Sequence, residues 1–200
     1  MSWAEYYRTT SDRPPRRTLL SALDRFEAEP PPTGGRRAVD LGCGGGRDTV
    51  AILAAGFAVL AIDAQPSAID ALRARDDLPA DARLETRVAR FEDTTWPEVD
   101  LVNSSFALPL VPPERFPALW DRVRASLAPG GRFSGQLFGD RDSFAGDPGI
   151  TTLDERAARA LLAGLEVEMF EEEETDSVTP RGRAKHWHLF HVVARHPPSG

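Results

Sequence analysis

The stretch AVDLGCGGGRD, residues 38–48, decides the fold. A short apolar run delivers Asp40 and Leu41, and glycine then fills four of the next five positions, as Gly42, Gly44, Gly45 and Gly46. Glycine accepts positive φ and has no Cβ to hold a ligand away from the backbone. The pattern predicts a buried strand turning tightly into a helix, whose first amide N–H groups lack partners within the helix and can bind a negative group. A dinucleotide fingerprint would place a third glycine three residues after Gly44, where this chain has Arg47. The G-x-G-x-G spacing therefore displaces a nicotinamide or flavin reading without removing it.

Outward from this turn, strand-like and helix-like segments alternate. Residues 37–41, 58–62, 83–88, 99–103 and 132–138 read as strands. Residues 48–55 read as a helix with Val50, Leu53 and Ala54 on one side, stopped by Gly56, and Pro66 opens a second helix carrying Ile69 and Leu72. Phe116, Leu119, Trp120, Val123 and Leu127 mark an amphipathic helix that ends at Pro129-Gly130-Gly131. Residues 153–163 form a further helix, and 165–175 with 186–194 read as an antiparallel hairpin around the polar DSVTPRGRA. Alternating βα units predict a parallel sheet covered on both faces, with an antiparallel strand at the carboxyl-terminal edge. Before the first strand, Leu19, Leu23 and Phe26 fall on one helix face, followed by the linker PPPTGG at 30–35. Residues 1–35 are thus an amino-terminal helical lid or appendage with its linker, and 36–200 the main domain of one compact unit.

Sheets of this kind bind ligands at the carboxyl ends of their strands, where strand order reverses. That directs attention to Asp63, immediately after the second strand AVLAI, because a carboxylate there can accept hydrogen bonds from both hydroxyls of a ribose.

Bulk properties narrow the class. Two hundred residues with 41% hydrophobic content suit one domain, and the single cysteine, Cys43, forms no internal disulfide. One cysteine and an amino end rich in charge and proline predict an unprocessed cytoplasmic protein. No apolar run reaches the length of a membrane span. The net charge of −7 disfavours a duplex-binding face, so neither nucleic acid nor membrane is expected as a partner. Arg8, Arg13, Arg16, Arg17, Arg36 and Arg37 cluster early, and residues 166–176 hold an acidic surplus. Both read as solvated surface, with an early arginine closing over an anionic substrate as the alternative.

VDLGCGGG followed by a second strand ending in Asp63 resembles the first two motifs of the class I methyltransferases that use S-adenosylmethionine (SAM). LAPGGRF, residues 127–133, is similar to that family's junction between a helix and the fifth strand, and the resemblance spans about 36–195. The short link between the third and fourth strands and the tail RGRAKHWHLFHVVAR look most like the tellurite-resistance branch. The resemblance implies a Rossmann-like α/β fold with a seven-stranded sheet of order 3-2-1-4-5-7-6, one strand antiparallel. It implies SAM as cofactor, S-adenosylhomocysteine (SAH) as product and no metal. Matching positions carry its cofactor roles. Gly42, Gly44 and Gly46, with Arg47, would lie along the methionyl part, with Asp40 beneath. Asp63 would hold the ribose, Phe91 the adenine with Glu92 or Asp93 near its amino group, and Asn103 and Ser104 would face the transferred methyl. Where the family often has an acidic residue after the third strand, this chain has Arg90.

Methyl transfer from a sulfonium is an in-line displacement, so alignment and exclusion of water supply much of the rate. A general base is required only if the nucleophile carries a proton of high pKa. No GxSxG or CxxC is present. Tyr6, Tyr7 and His186 are candidates for a catalytic role, with His188 a further tail contact, and Tyr7, Arg13 and Phe106 for substrate contact. His186, His188 and His191 have no metal-binding spacing, and the acidic run 171–174 reads as a solvated strand edge. The expected function is methyl transfer to a small-molecule acceptor in a protein of undetermined oligomeric state. A non-catalytic SAM-binding sensor or partner and a nicotinamide-dependent oxidoreductase are the competing readings.

Overall fold

Alternation along the first strand sorts the molecule into layers. The computed structural model describes residues 13–178, 182 and 184–198. In β1 (Arg37–Leu41), Val39 and Leu41 belong to one apolar cluster and Ala38 to the other, because successive side chains of a strand face opposite ways. The same division runs through β2 (Ala58–Asp63), where Leu60 and Ile62 oppose Val59 and Ala61.

The helices on the Ala38 face are α1 (Arg17–Glu27), α2 (Arg47–Ala54) and α3 (Pro66–Arg73). On the Val39 face lie α4 (Phe116–Ala125) and α5 (Glu155–Leu161). The remaining strands are β3 (Leu84–Val88), β4 (Val99–Ser104), β5 (Leu127–Gly139), β6 (Thr152–Leu153), β7 (Glu166–Val178) and β8 (Ala184–Arg195). The sheet runs β3-β2-β1-β4-β5-β8-β7, with β8 antiparallel to both neighbours. This is the expected order and polarity. The two-residue β6, beside Phe138 and Gly139 of β5, adds an eighth strand.

Three local readings are corrected. Pro129-Gly130-Gly131 does not end a helix in a turn, because α4 stops at Ala125 and these residues lie within β5. The pairing passes from Val99–Leu127 to Leu101–Arg132, so the extra residues of β5 bulge out. Gly130, at φ +81°, supplies the bend. The helix expected from 153 starts at Glu155, where the carboxylate of Asp154 accepts the Ala157 N–H at 2.6 Å. In α2 the buried side chains are Asp48, Thr49, Ile52 and Leu53, so of the expected inward residues Leu53 is buried while Val50 and Ala54 are not.

Helix α1 packs on β5 and β8, burying Leu19, Ala22 and Phe26, with Leu23 partly buried beside them. Phe26 meets Phe57 edge to face at 5.4 Å, and burying such a ring stabilises by roughly 1.5–3 kcal/mol. Just beyond the helix, Glu29 and Glu168 both grip Arg132, whose side chain is 2% exposed. The acidic run of β7 is paired rather than simply solvated. Glu171 meets Arg17 and Glu173 meets His191, while Glu172 and Glu174 meet Arg141.

Candidate cofactor and active site

A cavity of about 350 Å³ opens at the carboxyl ends of β1, β2 and β4. Of the residues singled out in the sequence, Arg13, Asp40, Gly42, Gly44, Arg47, Asp63, Phe91, Glu92 and Phe106 line it. The glycine turn forms one wall. Gly42 has φ +73°, and a Cβ there would stand 2.2 Å from Cβ of Ala107, so the turn passes the next strand's loop only because it has no side chain. Gly44 donates its N–H to Asp63 Oδ2 at 2.9 Å, and Gln65 donates to Oδ1 at 2.8 Å. These bonds fix the carboxylate at the cavity edge, and each of its oxygens retains a lone pair for another donor. Burial raises the Asp63 pKa, while the backbone N–H groups of Gln65, Gly44 and Ala64 oppose the rise.

Asp40 lies deeper. Its oxygens accept Thr49 Oγ1–H at 2.6 Å and Asn103 Nδ2–H at 2.9 Å. Burial, reinforced by the Asp48 carboxylate, pushes its pKa up to about 7. On the third-strand side, Glu92 is held by Arg90 Nε at 2.6 Å, while Asp93 pairs with Arg115. Arg90, the departure from the expected acidic residue, thus fixes the acid that follows two positions later.

Several expected placements differ. Asn103 and Ser104 are fully buried and do not line the cavity. Asn103 shares a sheet face with Asp40 and supports it, receiving the Ser134 hydroxyl at 2.8 Å, while Ser104 donates to the Leu41 carbonyl at 3.1 Å. Ser105 and Phe106, one and two residues on, take the cavity wall. Gly46 faces away, and a Cβ there would strike Leu72 of α3 at 2.3 Å. His186 lies on the hairpin between Asp176 and Glu174, which raise its pKa, and it does not line the cavity. Tyr6 and Tyr7 lie outside the described residues. His188 is spent on structure, accepting the Arg141 N–H at Nδ1 and meeting Glu172 at Nε2.

Asp48, Ser105 and Arg16 carry weight that the sequence did not reveal. Asp48 is 5% exposed; its Oδ1 accepts the Arg16 N–H at 3.0 Å, and its Oδ2 accepts the Ser105 hydroxyl. An acidic residue in the first turn of a helix reads locally as a dipole partner, and its contacts lie 32 and 57 residues away. Phe106 holds φ +59°, a left-handed conformation that costs a bulky residue on the order of 1–3 kcal/mol. Its N–H is captured by Gln136 Oε1 at 3.1 Å, and Gln136 Nε2 donates to Thr18 at 3.0 Å. The Arg16 guanidinium lies 4.2 Å from the Phe106 ring centre. The start of α1 is thereby fastened beside the cavity at two points.

Residues 38–131 match a family model described as a methyltransferase domain. An uncharacterized methyltransferase of Synechocystis is 33% identical over 102 residues, which make up 50% of this chain and 46% of that protein. TehB from Haemophilus influenzae superposes with a TM-score of 0.71 at 17% identity, over 88% of this chain and 61% of that one. A magnesium protoporphyrin IX methyltransferase from Synechocystis, solved with bound SAM, gives 0.64 at 16% identity over 90% of this chain and 78% of its own. The chain spans about half the length of the curated relative, and at these structural identities the likeness is one of fold. The glycine turn, the strand order and the family match agree with one another, and residues 38–131 of the chain are similar to a methyltransferase domain.

Proposed function

We propose that the protein transfers the methyl group of SAM to a small-molecule acceptor. One observation carries this reading: the Asp63 carboxylate, fixed at the end of β2, faces the same cavity as a glycine turn whose backbone is bare. A ribose and its attached chain fit that combination. The ribose hydroxyls donate to the free lone pairs of Asp63, while the methionyl part runs along Gly42 and Gly44. Phe91 supplies an apolar surface for adenine, and Arg47 lies within reach of the amino-acid carboxylate.

SAM, when bound, supplies a methyl group on a positive sulfur that leaves readily. The chain's own task is to align donor and acceptor and keep water out, which can replace a large part of the barrier. Asp40 offers negative charge beneath the methionyl part. Ser105 and Phe106 form the wall facing the reaction, beside Arg13 and Arg16, which precede α1 and line the same cavity. The lone buried Cys43 fits a reducing, cytosolic setting.

Calorimetric titration with SAH, beside an Asp63→Ala variant that still melts cooperatively, tests the reading. Micromolar or tighter binding, weakened about a hundredfold or more in the variant, is expected, since two charge-assisted bonds are lost. Absence of SAH binding by the folded parent protein would refute it. Binding without turnover against panels of thiols, amines, carboxylates and phenols would favour a sensor.

A further inference from the structure

One hydroxyl of the cavity wall is joined to a buried carboxylate. Ser105 is the first residue after β4, and it is the only hydroxyl-bearing side chain among the described residues that line the cavity. Its proton is committed to the protein: Oγ donates to Asp48 Oδ2 in the first turn of α2, 57 residues back in the chain. Phe106, left-handed and with its N–H captured by Gln136, fixes the backbone beside it. A serine oxygen has one proton and two lone pairs, so with its proton on Asp48 this one offers the cavity acceptance alone.

Asp48 is placed to take that proton. It is 5% exposed, and its oxygens only accept, from the Arg16 N–H at 3.0 Å on Oδ1 and from Asn103 Nδ2 at 3.5 Å on Oδ2. Arg47 Nε lies 3.6 Å from Oδ1, and the same Asn103 amide also holds Asp40, which sets a second acidic group nearby. The other carboxylates of the cavity are committed elsewhere. Asp40 is closed by Thr49 and Asn103, Asp63 is fixed by Gly44 and Gln65, and Glu92 is held by Arg90. No histidine lines the cavity among the described residues. The described lining also balances in charge, with four arginines against four acidic residues, so an uncharged acceptor meets no surplus there. Beside Ser105 the wall is apolar, with Phe106, Ala107 and Leu110.

We infer that the methyl acceptor is a neutral hydroxyl compound with an apolar body, whose O–H donates to Ser105 Oγ, and that Ser105 relays its proton to Asp48 during transfer. This rests on the methyl-donor reading of the cavity. The acceptor oxygen bonds to the methyl carbon, and the carbon–sulfur bond breaks with its electron pair left on sulfur. The acceptor's proton passes to Ser105 Oγ while the serine's own proton passes to Asp48 Oδ2. Serine is unchanged, the carboxylate becomes a carboxylic acid, and the positive charge of the sulfonium ends as that proton. Ser105 touches the substrate, and Asp48 acts through it.

The test follows SAH formation from SAM with 4-methylphenol, which keeps its proton at mildly alkaline pH, and with 4-methylbenzenethiol, which has the same body and has largely lost it. Ser105→Ala should slow the phenol about a hundredfold or more, the usual contribution of general-base catalysis, and leave the thiol near the parent rate. Ser105→Thr, which restores the hydroxyl, should recover most of the loss, and Asp48→Asn should behave as Ser105→Ala does. As pH rises toward about 10, where a phenol ionises unaided, the Ser105→Ala deficit should close. Asp40 titrates in the parent and in Ser105→Ala alike, so the ratio of their rates reads the relay. An equal loss on both probes at every pH, or a Ser105→Thr variant as slow as Ser105→Ala, overturns the relay and leaves the pair a structural tie. Absence of 4-methylphenol turnover by parent protein that binds SAH overturns the hydroxyl acceptor. SAH titration of the same samples keeps the failures apart: no SAH binding refutes the methyl-donor reading, whereas SAH binding without the phenol pattern refutes this inference alone.

Discussion

Replacing Asp40 with asparagine should make the ligand-free protein more stable above neutral pH and nearly abolish its affinity for SAM. Asp40 is 1% exposed, and its two oxygens are met only by neutral donors, Thr49 and Asn103. Burial and Asp48 raise its pKa from 3.8 to about 7 on folding. The folded state therefore holds this proton more tightly than the unfolded chain. The stability due to Asp40 is greatest below the unfolded pKa and falls as pH climbs toward the folded one. Each unit of difference is worth about 1.4 kcal/mol, so the loss approaches on the order of 4 kcal/mol by pH 8.

Asparagine keeps the shape, accepts from Asn103 and donates to the Thr49 oxygen, and carries no charge to bury. Asp40→Asn should thus match the parent near pH 4 and exceed it by up to roughly 10 °C in melting temperature at pH 8. Thermal melts of both proteins from pH 4 to 8, with SAM titrations at pH 8, make the measurement. Melting curves that stay a constant distance apart over this range would refute the buried-charge reasoning. Retained SAM affinity would refute the role given to Asp40 beneath the methionyl part.

Two further outcomes concern packing. Gly42→Ala places a Cβ 2.2 Å from that of Ala107 and forces alanine to φ +73°; it should cost about 1–3 kcal/mol in urea unfolding and weaken SAH binding, with Ala107→Gly restoring only the steric part. Lys185 and Asp142 form an ion pair with side chains 3% and 0% exposed, beneath the rings of Phe144 and Trp187. Lys185→Met or Asp142→Leu alone should cost about 3–5 kcal/mol and the double variant markedly less, because each single change leaves a buried charge unpaired; additive losses in chemical denaturation would contradict this.

Much of the architecture is legible locally because each βα unit carries its own signals. The run 58–62 followed by Asp63, and the glycine turn after Leu41, combine burial, conformational need and chemistry within a few residues. Pro129-Gly130-Gly131 misleads for the same reason. A bulge inside a strand and the end of a helix both call for glycine, and only the pairing with Val99 and Leu101 distinguishes them. Thr152–Leu153 is too short to carry a period. Asn103 belongs by spacing to the fourth-strand end, but it shares a face with Asp40, so its side chain turns inward and Ser105 replaces it at the wall. The clasp of Arg16 by Asp48 and of Thr18 by Gln136 joins distant parts of the chain, and nothing in either segment announces it.

The seat of α1 also bears on how the chain is made. The helix leaves the ribosome well before its partners. Thr18 waits for Gln136, 118 residues on, and Arg25 for the carbonyl of Glu168, 143 residues on. Meanwhile β1 to β4, with α2 and α3, draw on neighbours within a short span and can assemble first. Contacts of such long separation slow folding far more than they weaken the finished protein. During that interval Leu19, Ala22 and Phe26 present an uncovered apolar stripe on the nascent chain. Synthesis stalled before β8 would leave the stripe exposed, making α1 the segment on which a chaperone would be expected to act.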